Sequence, residues 1–284
     1  MVLATTSDGV EIATHALGGR GAALVLAHAA GLHGLVFAPL ARHLAGEVRC
    51  VSFDGRGHGD SPLPPGRDLD WYGLARDVLA VVDGLTLERP FGFGHSSGGT
   101  AMLMAEQARP GTFAAIHCYE PVIVPADPPL GRDRGSWLAM QARRRRTTFA
   151  SREDARRHYA SKPPWEALDP EALRAYVDHG FEDAGDEGVR LKCRPEDEAA
   201  VYEMATAHDA YARLPEVKCP VTVACGDLTE GCTPTPAGSY AHRLPGGRTE
   251  VLAGVGHLAP LEQPEQVATS IRRFLREQSE PRPL

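Results

Sequence analysis

Short apolar runs rich in β-branched and aromatic residues alternate in this chain with longer stretches that carry apolar residues at helical spacing. The early pairs of run and helical stretch are 23–27 with 37–44, 49–53 with 71–85, and 90–94 with 97–108. A strand, a helix and a further strand in this order place the two strands parallel in one sheet. The sequence therefore predicts an α/β fold with a mostly parallel central sheet flanked by helices.

The alternation stops over residues 122–216 and then resumes. That stretch is polar, charged and helix-favouring, and it holds no convincing buried strand, whereas apolar runs return at 220–225 and 248–252. We therefore predict a core domain of residues 1–121 and 217–284, interrupted by a helical cap. Ligands bind at the carboxyl edge of the strands in open α/β sheets, so we expect the cap to cover that edge.

Composition narrows the classes of partner. The net charge is −7 over 284 residues, whereas nucleic-acid-binding proteins usually carry a basic face. No apolar run reaches the roughly 18 residues of a membrane-spanning helix, and the first residues lack the basic and apolar regions of a signal peptide. We expect a soluble cytoplasmic protein with no nucleic-acid or membrane partner, and the sequence leaves a homo-oligomer open.

Cysteine usage points away from disulfides and metal. The six cysteines are spread thinly, and none forms a C-x-x-C pair. The spacing of Cys219, Cys225 and Cys232 fits none of the usual zinc-ligand pairs. We expect reduced, buried thiols, no metal site and no cofactor. The strong preference for arginine over lysine favours a bacterial source.

Residues 94–98 read Gly-His-Ser-Ser-Gly, a match to the pattern G-x-S-x-G. A strand-like run precedes the match and a helix-like stretch follows it, which is typical of a sharp turn that exposes Ser96 as a nucleophile. Two other interpretations are a glycine-rich turn in which Ser96 caps a helix, and a dinucleotide site. The dinucleotide pattern fails at its third glycine, because that position is Ser97.

Three further stretches complete a resemblance. Residues 28–31 read His-Ala-Ala-Gly after an early strand, and residues 254–257 read Gly-Val-Gly-His before the last helix. Residues 54–61 read Asp-Gly-Arg-Gly-His-Gly-Asp-Ser, similar to the D-x-R-G-x-G-x-S stretch of the α/β-hydrolase superfamily, where it is a structural turn. With the motif at Ser96, these stretches resemble that superfamily along nearly the whole chain, which implies the α/β-hydrolase fold.

The resemblance implies roles for four residues. A hydroxyl needs a general base before it can attack a carbonyl, and the family's chain order assigns that role to His257. The family's oxyanion donors are two backbone N–H groups, here those of Ser97 and Ala30. We expect His28 to shape the oxyanion loop and not to react.

The predicted cap resembles the branch of the superfamily that contains haloalkane dehalogenases and epoxide hydrolases. Those enzymes use an aspartate where this chain has Ser96. Their alkyl-enzyme chemistry therefore does not carry over, and serine chemistry on an acyl group is implied instead.

The third member of the triad must be a carboxylate that orients the histidine. Many family members place it after the strand that follows the cap, in a G-x-x-D pattern, where this chain has Thr229 flanked by Asp227 and Glu230. A second family position is the end of the strand before the cap, where Glu120 ends an apolar run. An ionised group there is costly unless it is paired. We predict that Glu120 is the acid, and Asp227 and Glu230 are the alternatives. If Glu120 is not the acid, we expect it to anchor the cap through an ion pair with an arginine.

The predicted cap also carries arginines and aromatic residues. We expect Arg143–Arg146 to form a solvated helix face paired with Glu153 and Asp154; a gate for anionic substrates and a nucleic-acid contact are the alternatives. Aromatic residues of this kind more often pack than bind substrate, and those of the predicted cap are Trp137, Phe149, Trp165 and Phe181.

These residues predict hydrolysis of a carboxylic ester of small or medium acyl size through a Ser96–His257–Glu120 triad and an acyl-enzyme. A thioesterase, a lactonase and a carbon–carbon bond hydrolase would use the same residues. A non-catalytic, ligand-sensing protein of this fold is the alternative from another class. The only partner expected is a small acyl substrate.

Overall fold

The computed structural model of the chain describes residues 2–64, 66, 69–124, 132–229 and 232–279, with the backbone alone at 132–135 and 279. The strands in chain order are β1 (Val2–Thr5), β2 (Glu11–Gly19), β3 (Ala23–Ala27), β4 (Arg49–Phe53), β5 (Phe91–His95), β6 (Ala115–Tyr119), β7 (Thr148–Phe149), β8 (Phe181–Asp183), β9 (Val189–Leu191), β10 (Val221–Gly226) and β11 (Gly247–Leu252).

The main sheet has eight strands in the order β1-β2-β4-β3-β5-β6-β10-β11. The six strands from β4 to β11 in this order are mutually parallel, while β2 pairs antiparallel with β1 and β4. The predicted fold class is confirmed. The antiparallel pair β1 and β2 at the edge was not predicted. These strands are partly exposed and lack the continuous apolar run that is typical of a buried parallel strand.

Helices cover both faces of the main sheet. In chain order they are α1 (Ala38–Leu44), α2 (Trp71–Gly84), α3 (Ser97–Ala108), α4 (Arg132–Arg143), α5 (Arg152–Ala160), α6 (Pro170–Gly180), α7 (Pro195–Glu203), α8 (Pro234–Arg243), α9 (Ala259–Glu262) and α10 (Pro264–Ser279). Short 3-10 helices lie at Gly34–Phe37, Trp165–Ala167, Gly185–Glu187 and Leu214–Glu216. Buried residues of α2, α3 and α8 share one apolar cluster, and those of α1 and α10 share another.

Residues 122–216, which we call the inserted segment, join β6 to β10. They contain α4 to α7 and also a three-stranded antiparallel sheet in the order β7-β9-β8. The sequence indicated helices alone, because strands of two or three residues are too short to show an alternating pattern. Among the described residues, no helix combines the length and apolar character needed to cross a membrane.

Candidate active site

Ser96 lies in the turn between β5 and α3. Its backbone has φ 54° and ψ −119°, a strained combination for a residue with a side chain. A Cβ atom at Gly94 would collide with the backbone of Gly99, and one at Gly98 would lie 2.6 Å from the carbonyl oxygen of His28. Glycine is therefore required on both sides of Ser96, and the close approach of strand and helix fixes the position of the serine.

His257 lies in the loop between β11 and α9, and it faces the residue that follows β6. Its Nδ1 atom is 2.7 Å from Oε2 of Glu120. The Glu120 side chain is fully buried, and its backbone φ of 47° is unusual for a residue with a side chain. A neutral imidazole that donates its Nδ1 proton to this carboxylate keeps the lone pair of Nε2 available for a proton acceptor role.

Two further groups hold the Glu120 carboxylate in place. The backbone N–H of Gly226 donates to Oε1 at 3.0 Å, and the hydroxyl of Thr229 donates to Oε2 at 2.7 Å. Hydrogen bonds of this kind to an ionised oxygen are stronger than those between neutral groups, and they offset the cost of burying the charge. The threonine at the position where many family members carry the acid therefore binds the carboxylate that comes from β6.

The alternative acids are placed differently. Oδ1 of Asp227 accepts the backbone N–H of Gly254 at 2.7 Å, which ties the loop after β10 to the loop after β11. Glu230 lies outside the described residues. Glu120 is thus the carboxylate that the structure brings to Nδ1 of His257.

For ester hydrolysis at this site, replacing Thr229 by valine is expected to lower kcat/KM about tenfold, because Oε2 of Glu120, which also binds His257, loses the hydrogen bond from the Thr229 hydroxyl. The methyl group of valine keeps nearly the same shape. Hydrolysis rates of p-nitrophenyl acetate measure the effect. The Thr229→Ser variant restores the hydroxyl and should recover most of the rate. Equal rates for the two variants would contradict this role of the hydroxyl.

The loop that carries His257 is hydrogen-bonded to the last residue of β5 and to the last residue of β6. Nε2 of His95 is 2.8 Å from the carbonyl oxygen of His257, and the hydroxyl of Tyr119 donates to the carbonyl oxygen of Gly256 at 2.6 Å. Complete burial lowers the pKa of His95 well below its ordinary value, so its ring is neutral near pH 7. Since His95 precedes Ser96 in the chain, these bonds place the His257 loop beside the serine.

The two residues assigned to the oxyanion hole line one cavity. Ser97 is the first residue of α3, where N–H groups have no acceptor within the helix. Ala30 lies two residues beyond the His28 carbonyl against which Gly98 packs. A cavity of about 30 Å³ is lined by Ala30 and Ser97 together. Both residues therefore border the same space at the carboxyl end of β3.

The arginines at 143–146 differ from expectation, because α4 ends at Arg143 and the next three do not continue it as a helix. Arg143 pairs with Glu196 and Glu203, and Arg146 lies 3.6 Å from Asp154. The prediction of a solvated face was wrong for Arg145. That side chain is only 13% exposed and pairs with Glu198 of α7, which the sequence could not show because the two residues are distant in the chain.

Aromatic residues of the inserted segment form a packed cluster around Arg145. The rings of Phe149 and Phe181 are buried with their centroids 5.7 Å apart, and the Arg145 guanidinium lies 5.5 Å from the ring of Trp165. Trp137, by contrast, is 55% exposed. Phe149 and Phe181 therefore pack within the inserted segment, as expected of most aromatic residues there.

Comparison with known proteins agrees with this architecture. The sequence model of the alpha/beta hydrolase family matches residues 24–270. Esterase YbfF of Escherichia coli strain K12 is 24% identical over 255 residues, which cover 89% of this chain and 92% of the esterase. Monoglyceride lipase of Homo sapiens is 32% identical over 108 residues, 36% of either protein. The solved structure of an E-2-(acetamidomethylene)succinate hydrolase has a TM-score of 0.83 at 18% identity and covers 97% of this chain and 99% of its own.

Proposed function

Because the chain belongs to the alpha/beta hydrolase family, we propose that it is a serine hydrolase that cleaves carboxylic esters of small or medium acyl size. The observation that carries the proposal is the hydrogen bond between His257 and the buried, backbone-anchored Glu120, next to the strained turn at Ser96. The esterase and the lipase among the relatives support an ester as the substrate class.

In the proposed mechanism, Oγ of Ser96 attacks the ester carbonyl while Nε2 of His257 accepts its proton. Glu120 stabilises the resulting imidazolium, and the N–H groups of Ala30 and Ser97 donate to the oxyanion. The tetrahedral adduct expels the alcohol, which receives the proton from His257, and leaves an acyl-serine. Water then attacks the acyl carbon by the same steps and releases the carboxylic acid and the free serine.

The inserted segment, in this proposal, is a cap over the site. Its residue Gly180 lies against the ring of His33, three residues beyond Ala30, and its residue Glu198 lies against Gly31. These contacts put two separate parts of the inserted segment next to the oxyanion loop. Such a cover excludes water and shapes the space available to the acyl group.

The test combines covalent labelling with a substrate panel. Diethyl p-nitrophenyl phosphate should release about one equivalent of p-nitrophenol per protein, and fragmentation of the labelled peptide should assign the diethyl phosphoryl group to Ser96 and not to Ser97. Esters, thioesters and lactones graded by acyl length then rank the bond types. Folded protein that neither reacts with the phosphate ester nor turns over any member of the panel would refute the proposal and favour a ligand-sensing protein.

A further inference from the structure

Two buried imidazoles flank the loop that carries Ala30. His28 follows β3, and His58 lies in the turn 54–61 after β4; their ring centroids are 5.2 Å apart. Both side chains are almost completely buried. The family resemblance implied a structural role for the turn and none for His58, yet each of the two rings makes one hydrogen bond to the oxyanion loop.

The protonation of His28 follows from its partners. The backbone N–H of Gly55 donates to Nε2 at 2.8 Å, so that nitrogen carries no proton. The proton of the neutral ring is then on Nδ1, which donates to the carbonyl oxygen of Ala29 at 2.8 Å. Because that carbonyl and the N–H of Ala30 belong to one planar trans peptide, fixing the oxygen also fixes the direction of the N–H.

His58 holds the next peptide in the same way. The N–H of Gly31 donates to Nε2 of His58 at 3.0 Å, and Nδ1 of His58 is 3.0 Å from the carbonyl oxygen of Arg56. The two peptides that meet at Ala30 are therefore each bound by one imidazole. The cavity of about 30 Å³ that Ala30 and Ser97 line is also bordered by His28 and His58.

Both rings are suited to a neutral role. Burial lowers the pKa of His28 to about 3 and also lowers that of His58. The ionisable groups that face one ring or the other are His33 from the loop after β3, Asp54 from the turn after β4, and Asp197 and Glu198 from α7. The carboxylates oppose the effect of burial without reversing it, so the rings stay neutral near pH 7.

We propose that His28 and His58 are positioning residues which aim the backbone N–H of Ala30 at the oxyanion. The inference rests on the proposed function; it specifies how His28 shapes the oxyanion loop and adds His58 to that role. His28 acts as a donor through Nδ1, and His58 acts as an acceptor through Nε2. Their loss should weaken binding of the tetrahedral state and leave binding of the ground-state ester nearly unchanged.

The different roles of the two nitrogens allow a crossed test. An asparagine amide reaches the position of Nδ1 and a glutamine amide that of Nε2, so His28→Asn should retain more activity than His28→Gln, and His58→Gln more than His58→Asn. His58→Phe keeps a ring without an acceptor and should lower kcat about 10- to 100-fold with little change in KM. The exposed His43→Gln is the matched control.

The readouts are kcat and KM for p-nitrophenyl acetate, inhibition by a trifluoromethyl ketone and the thermal midpoint. The ketone forms a tetrahedral adduct with the serine, so its inhibition constant should rise in proportion to the fall in kcat. Equal kcat for the Asn and Gln variants at each position, or a folded His58→Phe within about twofold of wild type, would overturn the inference. If His58→Phe does not fold, the Asn and Gln comparison decides alone. An inactive wild type would instead refute the proposed function.

Discussion

Replacing Ser96 by alanine is expected to lower kcat for p-nitrophenyl acetate by roughly 10⁵- to 10⁶-fold, which is the scale seen when a hydrolase loses its nucleophile. The methyl group cannot form an acyl-enzyme, and His257 can then only assist a water molecule. The strained backbone at φ 54° persists in the variant, because alanine also carries a Cβ atom. The change therefore removes the oxygen and leaves the turn intact.

The Ser96→Ala variant is also expected to retain substrate binding. The N–H groups of Ala30 and Ser97 remain, and such groups alone leave about 10³- to 10⁴-fold catalysis over water in a serine hydrolase. Isothermal titration with a non-hydrolysable ester analogue should give nearly the same affinity for the variant and the wild type. The exposed Ser161→Ala variant makes the same chemical change away from the site and should match the wild type. Wild-type turnover by Ser96→Ala would show that the serine does not react.

Sequence alone could predict the parts of this protein that depend on local pattern. The boundaries of α3 agree with expectation, because the glycines of the turn and the helix-favouring residues after it lie within one short stretch. The fold followed from the alternation of β3, α1, β4, α2, β5 and α3. Glu120 was selected because part of the branch that the chain resembles places its acid at the end of the strand before the cap, and because a carboxylate buried there requires a partner. In the structure, Nδ1 of His257 lies 2.7 Å from that carboxylate.

The supporting contacts could not be predicted, because each joins residues that are far apart in the chain. Thr229 meets Glu120 only after β10 pairs with β6. His58 meets Gly31 only after β4 pairs with β3, and the turn that carries it gave no sign of this contact. Arg145 looked exposed within a run of arginines, and its burial depends on Glu198 in a different helix.

Replacing Glu120 by glutamine is expected to lower kcat/KM by about 10³- to 10⁴-fold. The carboxylate accepts from Gly226 at one oxygen and from Thr229 and His257 at the other, whereas an amide has a single acceptor oxygen. If its NH2 group faces His257, the imidazole must move its proton to Nε2, and Nε2 can then no longer accept the proton of Ser96. In the opposite orientation the NH2 group faces the N–H of Gly226, and two donors oppose each other in a buried site.

Asp227→Asn is the matched control for this experiment, because it makes the same change of carboxylate to amide at the alternative acid. Its Oδ1 atom can still accept from Gly254, so we expect nearly wild-type kcat/KM. An amide with mismatched donors in the buried Glu120 position also destabilises the fold. Rates should therefore be measured at a temperature well below the thermal midpoint of each variant. If Glu120→Gln kept its activity and Asp227→Asn lost it, Asp227 would be the acid, and the contact between Glu120 and His257 would only anchor the loop.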